Sequence, residues 1–299
     1  MKILLLGSNG QVGKELERQL SGLYEVFAFP RSALDITNHQ AVHETVGRIH
    51  PDFIVNAAAY TAVDSAETNP DYAHAVNAEG VANLANIALT RSAWLIHFST
   101  DYVFDGTKTR PYLETDSTNP INVYGASKLA GERAIVASNC DHLTFRTSWV
   151  IGKDGHNFAK TILRLASKQD SIKVINDQIG VPTTPSLIAK VTADAIRAFK
   201  VEKVWPKGVY HLSPQGASNW YEIARTLLPL AESQGVLLAA GADDILAITT
   251  ADYPAQAARP MNSLLDTEKL RSKLSFDLKH WKDDFLAMAS DLIEGSKAA

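Results

Sequence analysis

The sequence predicts an α/β protein: a doubly wound parallel sheet with a smaller α/β lobe attached. Three observations predict it. Short apolar runs alternate with longer amphipathic stretches through the first half of the chain. A glycine-rich turn follows the first of these runs directly. The 299 residues, 45% hydrophobic and 21% charged, suffice for one large or two ordinary globular domains. Strands that read as continuous apolar runs between helices belong to parallel sheets covered on both faces.

The elements follow in order. Lys2–Gly7 reads as a strand, because Ile3-Leu4-Leu5-Leu6 is unbroken and stops at glycine. Four apolar residues fall short of the roughly 7–15 of a secretory signal. No stretch approaches the ~18–20 of a membrane span. Helical periodicity covers Gln11–Leu20, His39–Ile49, Pro70–Thr90 and Val123–Ala137, and strands are expected at Glu25–Phe29, Asp52–Asn56, Ala93–Ser99 and His142–Thr147. Five such units in the first half give the doubly wound pattern. In the second half, helices are expected at Asn157–Lys168, Pro185–Phe199, Ser218–Leu230 and Leu278–Ile293, with strands at Ile172–Ile175 and Gly208–Leu212. Ser218 and Asn219 suit a helix cap. Gly235–Asp252 shows no clear pattern. The expected division is a dinucleotide-binding domain over 1–150 and a lobe over 151–299, with later segments returning to the first domain.

Charge and cysteine content exclude several functions. The net charge of −4 offers no basic face for nucleic acid. A single cysteine, Cys140, allows no intrachain disulfide and no cysteine-based zinc site. That balance suits a reducing, cytoplasmic address. The nine histidines show no metal-ligand spacing.

Gly7-Ser8-Asn9-Gly10-Gln11-Val12-Gly13 joins the first strand to the first helix. Glycines at this spacing permit a tight turn, close approach of backbone to a pyrophosphate, and close helix–strand packing. The helix N-terminus then offers free N–H groups and a positive dipole end to phosphates. This is a Rossmann-like arrangement. NAD sites usually carry an acid about 20 residues past the glycines, whereas the second strand here ends Phe29-Pro30-Arg31-Ser32. Arg31 is by chemistry a bidentate phosphate partner, so NADPH is expected, with NADH as the alternative.

Tyr124 and Lys128 stand four apart on a helix and so share one face. An ammonium beside a phenol favours the phenolate and lowers the tyrosine pKa from about 10. Such a tyrosine exchanges a proton with a carbonyl or alcohol oxygen. Thr100 and Asp101 lie at the carboxyl end of the fourth strand, where ligands of open α/β sheets bind. The Thr100 hydroxyl is expected to orient the same oxygen.

Together with Asn56-Ala57-Ala58-Ala59 and Ser99-Thr100-Asp101-Tyr102-Val103-Phe104, these motifs resemble the extended short-chain dehydrogenase/reductase family. Finer features resemble its dTDP-4-dehydrorhamnose reductase branch. They include Ala57 to Asp64, Phe145 to Val150, Asn157-Phe158, Asn176 to Thr183 and Ala258 to Ser263. The likeness spans roughly residues 1–285. It implies NAD(P)H-dependent reduction of the 4-keto group of dTDP-4-dehydro-L-rhamnose to dTDP-L-rhamnose, within polysaccharide precursor synthesis.

By the same resemblance Tyr124 is the proton donor, and Lys128 positions it and holds the nicotinamide ribose. Thr100 and Asp101 meet the keto sugar. Gly10, Gln11 and Val12 hold the pyrophosphate. Asp35 and Ile36 approach the adenine, and Ala59, Tyr60 and Thr61 line the dinucleotide. Trp149 is implied on the sugar side, and Asn157, Phe158 and Arg259 on the nucleotide side, with Lys160 a weaker candidate. Some family members dimerise through a magnesium ion. Glu15 matches that place, the other ligands are not matched, and Glu15 reads as an exposed helix acid, so magnesium stays open. A homodimer stays open. Two other readings also stay open: an epimerase or dehydratase with tightly held NAD, and a non-catalytic regulatory subunit on the same fold.

Overall fold

The computed structural model describes residues 1–202, 207–274 and 276–297. The first half runs β1 (Lys2–Leu6), α1 (Gln11–Leu20), β2 (Glu25–Phe29), α2 (His39–Ile49), β3 (Phe53–Asn56), α3 (Val63–Thr68), α4 (Pro70–His74), α5 (Gly80–Arg91), β4 (Trp94–Thr100), α6 (Val123–Ser138) and β5 (His142–Thr147). The second half runs α7 (Phe158–Ala166), β6 (Ile172–Ile175), β7 (Ile179–Gly180), α8 (Pro185–Glu202), β8 (Gly208–His211), β9 (Ser218–Asn219), α9 (Trp220–Ser233), β10 (Ile245–Ile248), α10 (Glu268–Leu274) and α11 (Trp281–Lys297).

The main sheet is parallel, in the order β2-β1-β3-β4-β5-β8. Its central strands are apolar on both faces because both faces are covered. On one face Leu16 and Leu20 of α1 pack with Leu187, Ile188 and Ile196 of α8. On the other, Val42 and Val46 of α2 pack with Val81, Leu84 and Ala88 of α5. The chain turns one way from β1 to β2 and the other way to β3. The resulting switch point opens a crevice at the strand carboxyl ends. Residues after 150 thus supply both α8 and the sixth strand, β8.

The smaller lobe has its own core, in which Ile162 and Val174 meet Ile223, Leu227, Trp281 and Phe285. Two short sheets edge it, β10 with β6 in parallel and β7 with β9 antiparallel. No helix among the described residues is long and apolar enough to cross a membrane.

Two expectations are corrected. The helix expected over Pro70–Thr90 is interrupted by a π-helical turn at Ala75–Glu79, and the separate α3 precedes it. The extra residue in that turn serves Asn77, whose amide clasps both backbone groups of Tyr60 at 2.9 and 3.0 Å and the Ser127 hydroxyl at 3.0 Å. Such π turns recur at functional sites. The unpatterned stretch Gly235–Asp252 contains β10, whose apolar run Ile245-Leu246-Ala247-Ile248 is only four residues long and has two exposed positions. Asn219 does cap α9, accepting from Glu222 N at 2.8 Å, while Ser218 sits in β9.

Candidate active site

The carboxyl end of β4 and the first turn of α6 form the centre of the site. Asn122 caps α6, accepting from Gly125 N at 2.7 Å and donating to the Ala258 carbonyl at 2.8 Å. Glu67 of α3 accepts from Val123 N at 2.8 Å. Gly125 lies so close to the Tyr102 carbonyl that a Cβ there would come within 2.1 Å of it. Three separate segments therefore fix the turn that carries Tyr124.

Thr100 ends β4 and caps the 3₁₀ turn Asp101–Val103, accepting from Tyr102 N at 3.2 Å. Its hydroxyl donates to Asp101 Oδ1 at 3.1 Å and lies in hydrogen-bond reach of the Tyr124 phenol. The Tyr102 ring meets the Tyr124 ring edge-on at 5.7 Å. Burial pushes the Tyr124 phenol up to about 12, with Thr100 pulling the other way and Asp101 adding to the rise. Burial also pushes the Asp101 carboxyl up to about 7, against the hydroxyls of Ser263 and Thr100.

The expected Tyr–Lys pair differs from this geometry. Lys128 Nζ donates to the Phe98 carbonyl at 2.7 Å and faces His97 Nε2 at 3.3 Å. Helical spacing puts both side chains on one face, but the long lysine reaches down to β4 rather than along the helix. Its proximity therefore does not lower the phenol. Burial instead lowers the Lys128 ammonium to about 8.

A cavity of about 190 Å³ opens beside the glycine turn. Gly7, Gly10, Arg31, Asp35, Ile36, Ala59 and Tyr60 line it, as the sequence reading expects of a dinucleotide site. Gly7 has φ +78°, and a Cβ on Gly13 would fall 2.1 Å from the Gly7 carbonyl oxygen. Strand and helix thus meet backbone to backbone. Gly10 caps α1 without a side-chain bond, which leaves the first N–H groups of Gln11 and Val12 to a ligand. This cradle and its cationic rim fit a nicotinamide dinucleotide. Arg31 pairs with Asp35 at 3.1 Å and lies over the Tyr72 ring. Thr61 is exposed and does not line the cavity.

A larger cavity, about 580 Å³, lies under the lobe. Tyr102, Phe158, Gln178, Trp220 and Arg259 line it, with Lys173 and Thr250. Trp149 stacks on Trp220 at 3.8 Å, with Gly180 directly beneath its ring. Arg259 is expected on the nucleotide side. It reaches the cavity, but its guanidinium already holds Asp64 at 2.7 and 3.1 Å. Asn157 caps α7, donates to Gln11 Oε1 at 3.1 Å and does not line the larger cavity. The Gln11 side chain also accepts from Gly152 N at 3.0 Å. Lys160 does not line the larger cavity. Glu15 is not exposed but 9% accessible, gripped by Arg18 and Gln19. Among the described residues no cluster of three or more His, Cys, Asp or Glu could hold a metal ion.

Sequence reasoning missed Gln178 and Trp220 as wall residues. Trp220 Nε1 donates to Gln178 Oε1 at 3.1 Å. Gln178 falls within a recognised motif, so a signal existed. Trp220 offered only an aromatic at a helix start.

Residues 1–293 match the family model described as "RmlD substrate binding domain". The chain is 46% identical over 296 residues to the dTDP-4-dehydrorhamnose reductase of Escherichia coli (strain K12), covering 98% of each chain. Among solved structures it is similar to the dTDP-4-dehydrorhamnose reductase of Bacillus anthracis in complex with NADP, with TM-score 0.87, 34% identity and coverage of 96% and 98%. It is similar also to the Clostridium acetobutylicum orthologue, with TM-score 0.89, 35% identity and coverage of 98% and 100%.

Proposed function

The chain belongs to the RmlD family of dTDP-4-dehydrorhamnose reductases, and we propose how its own residues carry the reaction. It is an NADP-dependent oxidoreductase that reduces the keto sugar of a dTDP-linked substrate. The reduced cofactor, when bound, supplies the hydride to the keto carbon.

Tyr124 gives the proton to the keto oxygen. Reduction needs a phenol as donor, and a phenol pushed up to about 12 keeps its proton at neutral pH. Thr100 steadies the same oxygen, since its hydroxyl already faces Tyr124. Asp101, pushed up to about 7, can itself carry a proton and donate to the Thr100 oxygen, which leaves the Thr100 proton for the keto oxygen. Lys128 holds the cofactor ribose and supplies positive charge when a phenolate forms. The backbone N–H groups of Gln11 and Val12 receive the pyrophosphate, and Arg31 receives a 2′-phosphate, which makes NADPH the preferred donor. Phe158, Trp220, Gln178 and Arg259 shape the nucleotide side of the substrate, with Trp149 supporting Trp220. Residues 1–150 with α8 and β8 hold the cofactor, and the remainder holds the substrate. The scarcity of cysteine supports a cytoplasmic place for this work.

The observation that carries this reading is the placing of Thr100 at the end of β4 and of buried Tyr124 in the first turn of α6, beside the dinucleotide cradle. Tyr124→Phe is expected to lower turnover at least about a hundredfold while NADPH binding survives. A steady-state assay of NADPH consumption, paired with fluorescence titration of NADPH, tests it. Near-normal turnover rejects the assignment.

A further inference from the structure

The larger cavity must take a charged ligand between largely apolar walls. Phe158, Ile162, Leu165 and Trp220 line it, whereas a dTDP-linked sugar carries its negative charge on a diphosphate. An anion leaves water for such a place only where a cation meets it. Among the described residues that line the cavity, Lys173 and Arg259 carry positive charge, and no aspartate or glutamate opposes them.

The two cations differ in what already holds them. Arg259 donates to Asp64 through two nitrogens, at 2.7 and 3.1 Å, and to the Ala257 carbonyl at 2.9 Å. Asp64 also accepts from Ala257 N at 3.0 Å, so the pair fixes the loop over the cavity. The charge of Arg259 is matched, and its planar fork is engaged.

Lys173 stands in β6, where burial alternates. Ile172 and Val174 turn into the lobe core, and Lys173 between them is exposed. Among the described residues no carboxylate lies within ion-pair distance of it. The acids on this side are engaged elsewhere. Bonds from the Thr249 hydroxyl and N–H, at 2.7 and 3.1 Å, hold Asp252 below the usual carboxylate range, and Lys173 adds only a through-space attraction. Asp177, just past β6, accepts from Thr250 N at 2.9 Å and from its hydroxyl at 2.7 Å. An ammonium brings three donors on a flexible four-carbon stem, so it can follow a diphosphate without a preset fork.

We propose that Lys173 is a specificity-determining residue of the substrate cavity: its ammonium receives the diphosphate of the nucleotide sugar, while Arg259 stays with Asp64 as part of the wall. The cavity thereby selects a diphosphate-linked sugar over a free one. The inference rests on the proposed function for the class of substrate.

The test is calorimetric titration of dTDP into the full-length protein in the presence of NADP. Parent, Lys173→Met and Lys173→Arg are compared at about 50 and about 300 mM NaCl. Methionine keeps much of the stem and removes the charge. Lys173→Met is expected to weaken dTDP about ten- to a hundredfold, the worth of a hydrogen bond to a charged group. Lys173→Arg should stay within about threefold of the parent, because it restores the charge. Added salt should weaken dTDP less in Lys173→Met than in the parent, since salt screens the ammonium that the variant lacks. NADPH affinity, read by fluorescence titration, should not move.

A Lys173→Met protein that binds dTDP as tightly as the parent overturns the proposal and assigns the diphosphate to Arg259. A loss with an unchanged salt dependence, or one that Lys173→Arg fails to restore, marks a contact with the neutral nucleoside or a damaged wall, and overturns it as well. A parent that binds no dTDP overturns the reading of the substrate and Lys173 with it. Retained turnover in Tyr124→Phe rejects the proton donor alone and leaves the role of Lys173 standing.

Discussion

Replacing Gly125 with alanine adds one methyl group at the tightest point of the active site. The new Cβ would lie 2.1 Å from the Tyr102 carbonyl oxygen and 2.9 Å from the Tyr102 carbonyl carbon. Both obstructing atoms are backbone, so no change of rotamer clears them. Ordinary contact starts at 3.4 Å, so the first turn of α6 must retreat from Tyr102 by more than an ångström. Tyr124 rides on that turn while Thr100 stays on β4, and the pair is pulled apart. Misplacement by about 1 Å costs about a hundredfold in rate. Overpacking costs about 1–3 kcal/mol of stability, and the gain from removing a helical glycine offsets about 0.5–1 kcal/mol of it. The expected result is a kcat lowered about a hundredfold with a melting temperature lowered by only a few degrees. NADPH consumption with the dTDP-keto sugar and a thermal melt on the same sample measure both. Gly295→Ala in α11 is the control. No atom lies within 4 Å of its new Cβ, so it should raise stability by about 0.5–1 kcal/mol and leave kcat alone. Turnover of Gly125→Ala within twofold of the parent refutes the reasoning.

The other expectations are these. Glu132→Ala strands the buried Arg146, whose Nε bonds Glu132 at 2.9 Å, and should cost about 3–5 kcal/mol in urea unfolding. Arg31→Ala should lower kcat/KM for NADPH about ten- to a hundredfold, the worth of a charged hydrogen bond, and leave NADH little changed. An equal loss with both cofactors would reject a 2′-phosphate contact. Burial holds His142 at about 4, below the unfolded value of 6.5, so the unfolded chain binds more protons between those limits. Its stability contribution is complete above about pH 6.5 and is lost as pH falls through 4, up to about 3 kcal/mol. Asp101, pushed up to about 7, runs the other way and favours the fold as pH falls below 7. The readout is therefore the difference between the parent and His142→Gln in urea titrations from pH 7 down to about 4, and a pH-independent difference refutes the assignment.

What the sequence made legible, and what it hid, divides by the range of the constraint. The β1–α1 turn is local: Gly7 needs its positive φ and Gly13 its bare Cα, and both demands show as glycines at fixed spacing. Tyr124 and Lys128 are legible as a shared helix face for the same reason. Their contact is not, because periodicity fixes where a side chain leaves the helix and not where four methylenes end. Lys128 ends on the Phe98 carbonyl of β4, 30 residues away. The internal partners of residues expected on the substrate side are hidden for the same cause. Arg259 looks like a free cation until Asp64, 195 residues earlier, is seen to hold it. Asn157 looks available until Gln11, 146 residues earlier, takes its amide. Polar residues in a folded chain are mostly claimed by partners that no window of sequence contains. The Arg259–Asp64 pair also ties the loop over the larger cavity to α3, whose Glu67 holds the first turn of α6. An arginine first read as a substrate ligand thus joins the wall of the substrate cavity to the element that aims Tyr124.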